Sequence, residues 1–104
     1  MECSYWQDVV AKLRIDDWSV WAAHVLATDC DDYYNLSEAL KCVEAKEVIE
    51  NTIYAYSNWS AQPYCDQILE KFEIEAILNV YEKIENPNKN MKNGVSYLIE
   101  DLKN

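Results

Sequence analysis

The sequence predicts an all-α domain, an irregular bundle of about five to seven short helices in antiparallel pairs. Three observations carry this reading. Apolar residues recur at three- and four-residue spacing through most of the 104-residue chain. A single Gly and two Pro are too few for the tight turns of an all-β domain. No stretch sustains the two-residue alternation of a half-buried strand. The length sets a prior of one domain, residues 1–104. Half the residues are hydrophobic, enough for a core, and four Trp, eight Tyr and one Phe argue against disorder.

The elements follow in order. Ser4-Tyr5-Trp6-Gln7 has the form of a capping box, and Trp6, Val9, Val10 and Leu13 continue it as a first helix. Asp16-Asp17 offers the cap of a second, whose stripe is Trp18, Trp21, Ala22, Val25 and Leu26, ending near Thr28. That stripe places Trp18 and Trp21 in the core. Residues 29–34 are polar and aperiodic, a loop, after which Asn35 caps a third helix carrying Leu36, Ala39, Leu40 and Val43. The apolar phase slips at Lys46-Glu47, which predicts a break near Ala45, and resumes with Val48, Ile49, Thr52, Ile53 and Tyr56. Residues 57–60 read as a turn, and Pro63 lies in the first turn of the next helix, where its missing N–H costs nothing. Tyr64, Ile68, Leu69 and Phe72 form that helix's inner face. A second slip predicts a bend near Glu73, before a stripe of Ile74, Ile77, Leu78, Tyr81 and Ile84. Asn86-Pro87-Asn88-Lys89-Asn90 is a loop. The last helix carries Met91, Val95, Leu98, Ile99 and Leu102, weakened by Gly94 by about 1 kcal/mol relative to Ala.

No constellation of reactive residues stands out, so neither an enzyme nor a cofactor is expected. His24 is the one histidine, and Cys3, Cys30, Cys42 and Cys65 form no paired zinc-ligand spacing. Asp29-x-Asp31 resembles the opening of a calcium loop, but Tyr33, Tyr34 and Leu40 stand where the next ligand, the glycine and the closing glutamate belong. His24 is expected to be a partly buried helix residue and the cysteines free, mostly buried thiols. The first eight residues lack the basic and apolar regions of a secretory signal. The lack of a signal fits a reduced, cytoplasmic setting, in which the cysteines stay free thiols. No window approaches the ~18 apolar residues of a membrane span.

The charge points further. Nineteen acids face nine bases, a net charge of −10, which repels nucleic acid and anionic lipid and leaves a cationic protein as the suitable partner. The charge is also lopsided: residues 16–75 hold thirteen acids against Lys41, Lys46 and Lys71, and the flanking segments cancel. A one-signed field speeds encounter with an oppositely charged partner. Aromatics interleave with these acids, as anchors do at protein interfaces. Asp16, Asp17, Asp29, Asp31, Asp32, Tyr33, Tyr34, Glu38, Trp59, Glu70 and Glu73 are therefore the candidate partner-binding residues.

In its size, its acidity and the segment Asp29-Cys30-Asp31-Asp32-Tyr33-Tyr34-Asn35, the chain resembles the immunity proteins of bacterial toxin systems, of the nuclease-bacteriocin or contact-dependent growth-inhibition type. The likeness is to the class, and no motif of it covers the chain. It implies a monomer that binds a basic nuclease toxin domain and blocks its active site, carboxylates standing in for phosphates. Two alternatives stay open: a phage-type anti-defence protein that mimics DNA, and a helical adaptor whose acidity is only solubilising.

Overall fold

A computed structural model describes residues 3–28 and 34–104. Within them the chain forms α1 (Cys3–Lys12), α2 (Ser19–Ala27), α3 (Tyr34–Leu40), α4 (Ala45–Ala55), α5 (Gln62–Leu69), α6 (Ile74–Tyr81) and α7 (Lys89–Lys103). A single 3-10 turn, Trp59–Ala61, precedes α5. The all-α expectation is met, with seven α-helices and no strand among the described residues. No helix there is long and apolar enough to cross a membrane.

The bundle is organised around α4. Its predicted stripe, Val48, Ile49, Thr52, Ile53 and Tyr56, is buried, and so are Asn51 and Ala55. The helix is thereby enclosed on most of its circumference, with α1, α2, α5, α6 and α7 packed about it. Its buried polar groups have partners, as burial requires. Asn51 Nδ2 donates to the Val10 carbonyl of α1 at 3.0 Å, and Thr52 Oγ1 to the Val48 carbonyl at 2.7 Å.

Tyr56, just past the end of α4, ties three helices together. Its ring is fully buried, and its hydroxyl donates to Asp66 Oδ1 of α5 at 2.6 Å. Its carbonyl accepts from Gln62 Nε2 at 3.2 Å. Gly94 of α7 lies flat against the ring: a Cβ added there would sit 2.6 Å from Cγ and 2.8 Å from Cε1 of Tyr56. Sequence propensity counts Gly94 only as a weakness; the structure gives its reason, since no side chain fits between α7 and the ring.

Both predicted breaks occur. The third helix ends at Leu40 and α4 begins at Ala45. The fifth ends at Leu69 and α6 begins after its N-cap, Glu73. The last helix is capped by Asn88, whose Oδ1 accepts from the Met91 N–H at 2.9 Å, and Asn86 takes the left-handed conformation (φ 53°) that Asn tolerates. The 57–60 turn holds the 3-10 segment, with Asn58 Oδ1 accepting from the Ser60 N–H at 3.1 Å.

Other expectations need correction. Helix α1 begins at Cys3, so Ser4 lies within its first turn and is not its cap. Helix α2 is capped by Trp18 with no side-chain cap bond, not by Asp16 or Asp17. Asn35 lies inside α3, and its Nδ2 donates to the Val25 carbonyl at 2.8 Å, holding α3 to α2. The largest correction concerns Trp18 and Trp21, which are 46% and 39% exposed. The inner face of α2 is instead Ser19, Ala22, Ala23, Leu26 and Ala27, all buried.

The cysteines also differ from expectation. Cys3 and Cys42 form a disulfide that ties the start of α1 to the α3–α4 link across 39 residues of sequence. On the loop-closure model a link of that length stabilises by roughly 4 kcal/mol. Cys65 is a free, buried thiol, as expected; Cys30 lies outside the described residues. The reading of Cys3 and Cys42 as free thiols is thereby overturned.

Gly94→Ala tests the contact with Tyr56. Substitution in an exposed helix would gain about 1 kcal/mol from propensity, but here the added methyl overpacks the ring, which costs about 1–3 kcal/mol. We expect a net loss of stability in urea unfolding; a more stable variant would show that α7 does not pack on Tyr56.

Candidate functional site

The α1–α2 corner is built by the short link between the two helices. Leu13, buried, and the bonds from the Ile15 N–H to the Lys12 carbonyl (3.1 Å) and from the Trp18 N–H to the Ile15 carbonyl (2.9 Å) turn the chain sharply. The turn thrusts Ile15, Asp16, Asp17 and Trp18 outward, and Trp21 follows one helical turn later; all five are exposed. The two indoles meet edge to face, centroids 5.8 Å apart and planes at 81°. Lys12 Nζ lies 4.7 Å from the Trp18 centroid and 5.7 Å from that of Trp21, while bonding Asp8 Oδ2 at 2.8 Å.

A second segment joins this corner. Asn58 Nδ2 donates to the Asp16 carbonyl at 3.3 Å and to Ser19 Oγ at 3.0 Å, and Ser19 Oγ itself donates to the Asp16 carbonyl at 3.1 Å. Asn58 thus holds the 3-10 turn against the start of α2, and Trp59, 76% exposed, stands out from it. Asp16 and Asp17 have no ion-pair partner among the described residues. The corner therefore combines large apolar rings in water with uncompensated carboxylates, the composition of an interface anchor rather than of an ordinary surface.

The remaining candidates divide. Asp29, Asp31, Asp32 and Tyr33 lie outside the described residues. Tyr34 is 60% exposed at the start of α3, beside the C-terminal half of α2 through Asn35. A helix the length of α2 spans about 13 Å, so Tyr34 and the Asp16–Asp17 turn belong to its opposite ends. Glu38 is half-buried and paired with Lys41 at 2.9 Å, and Glu70 with Lys71 at 3.4 Å. Glu73 is exposed at the α5–α6 corner as the cap of α6. Glu44 and Glu50 are also engaged, with Lys46 at 3.6 Å and Arg14 at 3.2 Å. Among the described candidates, Asp16, Asp17 and Trp59 come together at this corner. Ile15, Trp18 and Trp21 join them and were missed by sequence reasoning, because Trp18 and Trp21 fit a helical stripe and were assigned to the core.

Two other features were weighed. A groove of about 1020 Å³ between α1, α4 and α6 is floored by Val43, Ile49, Phe72 and Val80. Its charged lining is balanced, with Arg14, Lys46 and Lys83 against Glu44, Glu47 and Glu50, so it has no preference for a cationic partner. Among the described residues no group of three or more His, Cys, Asp or Glu is placed to hold a metal. His24 is exposed with its ring tilted over Tyr64 at 4.9 Å, not partly buried as expected. Burial pushes the Cys65 thiol well up, away from the reactive thiolate.

Asp66 is held above its usual carboxylate range. Burial raises it, the hydroxyl of Tyr56 pulls it back down, and the charges of Asp101 and Glu70 raise it further. Burial, then the bond to Asp66, pushes the Tyr56 hydroxyl up, so it stays a donor.

No protein-family model matches the chain, and neither a curated protein nor a solved structure is significantly similar to it.

The raised Asp66 generates a pH test. A carboxyl whose folded value lies above its unfolded one favours the protonated fold. Its stabilising contribution is present below the ordinary value of 3.8 and is lost as pH rises through the folded value. Asp66→Asn keeps an acceptor for Tyr56 and removes the charge. It should melt higher than wild type at neutral pH, with the gap closing as pH falls below the carboxylate range. A variant less stable at neutral pH would show that the Tyr56 bond to the charged form outweighs burial and repulsion.

Proposed function

We propose that this chain is an inhibitory binding protein of the immunity type, a monomer that captures a basic protein domain, such as a nuclease toxin, on the corner formed by the α1–α2 turn and Trp59. One observation carries the reading: Ile15, Trp18, Trp21 and Trp59 are exposed beside Asp16 and Asp17, whose charge no base of the described chain neutralises. Trp at an interface centre is the residue type that carries most of the binding energy, while unpaired acids steer a cationic partner and set its orientation. The reading differs from the sequence expectation in emphasis, since the indoles supply the anchor and the carboxylates the selectivity. The phosphate-mimic alternative gains nothing here, because Glu38, Glu44, Glu50 and Glu70 are spent on internal ion pairs.

Co-expression with the adjacent gene products is the test. A neighbour-encoded basic domain should be toxic alone and tolerated with the chain. Trp18→Ala with Trp21→Ala should weaken capture by about 30-fold or more, the effect of losing one hot spot of about 2 kcal/mol. Protection that survives this pair together with Asp16→Lys and Asp17→Lys, or a neighbourhood with no toxic basic product, overturns the proposal.

A further inference from the structure

Ring–cation contacts occur at two places among the described residues, and they differ in kind. Arg14 Cζ lies 4.0 Å over the half-buried ring of Tyr54 and its guanidinium pairs with Glu50 at 3.2 Å. There the better cation for stacking sits on a tyrosine. At the α1–α2 corner the positions are reversed. The two Trp rings, the strongest cation acceptors among side chains, hold only an ammonium, that of Lys12.

The ring pair is a formed site. Lys12 Nζ lies over both rings, whose planes cross at 81°, and Asp8 Oδ2 closes the third side at 2.8 Å from it. Asp16 and Asp17 add negative charge immediately before Trp18 in the chain. Lys12 is held weakly. A solvated ring–cation contact and an i,i+4 ion pair together favour this arrangement over a free side chain by roughly five- to tenfold. A guanidinium is less strongly hydrated than an ammonium, stacks flat on an indole and bonds a carboxylate through two N–H groups.

We infer that the Trp18–Trp21 pair with Asp8 is a receptor site for an arginine side chain of the partner, and that Lys12 is an internal occupant displaced on binding. The inference rests on the binding reading above and specifies its chemistry. The incoming guanidinium stacks on one indole face against the other ring and takes over Asp8, and Lys12 swings into solvent. The partner thus presents an arginine at the centre of its contact, with further basic residues facing Asp16 and Asp17. Lysine at that central position is accepted less well, because it only exchanges one ammonium for another.

The probes are blocked tetra-arginine and tetra-lysine peptides, titrated at low ionic strength while the indole N–H signals are followed by NMR. The arginine peptide should bind at least fivefold tighter and shift the signals of Trp18 and Trp21 but not of Trp6. Lys12→Met should tighten arginine binding by more than Lys92→Met, which removes the same charge from α7. Trp21→Leu should erase the arginine preference. Equal affinities with the Trp18 and Trp21 signals unmoved overturn the receptor site and leave capture by the acidic field standing. No binding of either peptide overturns both. Equal effects of Lys12→Met and Lys92→Met overturn the role of Lys12 as the occupant.

Discussion

The inner face of α2 is the constraint from which the exposed indole surface follows. Ser19, Ala22, Ala23 and Ala27 are all buried there, with Leu26 the one large side chain. Small side chains let neighbouring backbones approach closely, and α2 accordingly packs most extensively on α5 while also touching α1, α3, α4 and the 3-10 turn. No indole fits in that space. Trp18 and Trp21 are therefore turned toward water, where their apolar area is left uncovered. A fold that exposes two adjacent Trp at the start of one helix carries an unfavourable surface when alone. The proposed partner would cover that surface.

A second centre keeps the frame rigid. Tyr56 fills the space between α4, α5 and α7, with its ring against Gly94 and its hydroxyl on Asp66. The carboxylate it bonds is itself disfavoured by burial and by Asp101 and Glu70. The frame thus accommodates a charge that lowers stability at neutral pH. From Asn58 to Gln62 the chain runs directly from this centre to the α1–α2 corner: Gln62 bonds the Tyr56 carbonyl, and Asn58 bonds Asp16 and Ser19. The position of Trp59 relative to Trp18 is set by these bonds.

How far the sequence foretold this depends on contrast between faces. In α4 polar Lys46, Glu47 and Glu50 alternate with Val48, Ile49 and Ile53, so only one phase fits and the buried stripe was read correctly. The segment Ser19–Ala27 is apolar nearly all round. Both Trp18-Trp21-Ala22-Val25-Leu26 and Ser19-Ala22-Ala23-Leu26-Ala27 have helical spacing, and hydrophobicity alone favours the wrong one. Residue size separates them, since a run of small residues marks where helices crowd. The Cys3–Cys42 bond was illegible because it depends on the α3–α4 link folding back onto the start of α1, and 39 residues of separation carry no sign of that. Of the candidate acids, Asp16 and Asp17 have no ion-pair partner among the described residues. Glu38 and Glu70 have one, which was illegible because the charge of a segment says nothing about which lysine each acid will meet.

The account turns on α2 packing through its small face and leaving both indoles outside. Urea unfolding of two variants measures that directly. Trp18→Ala combined with Trp21→Ala should leave stability within about 1 kcal/mol of wild type, as for surface positions, whereas Ala23→Leu should cost about 1–3 kcal/mol or more by overpacking the α2 interface. The reverse order, with the double Trp variant collapsing and Ala23→Leu tolerated, would place the indoles in the core and contradict the account.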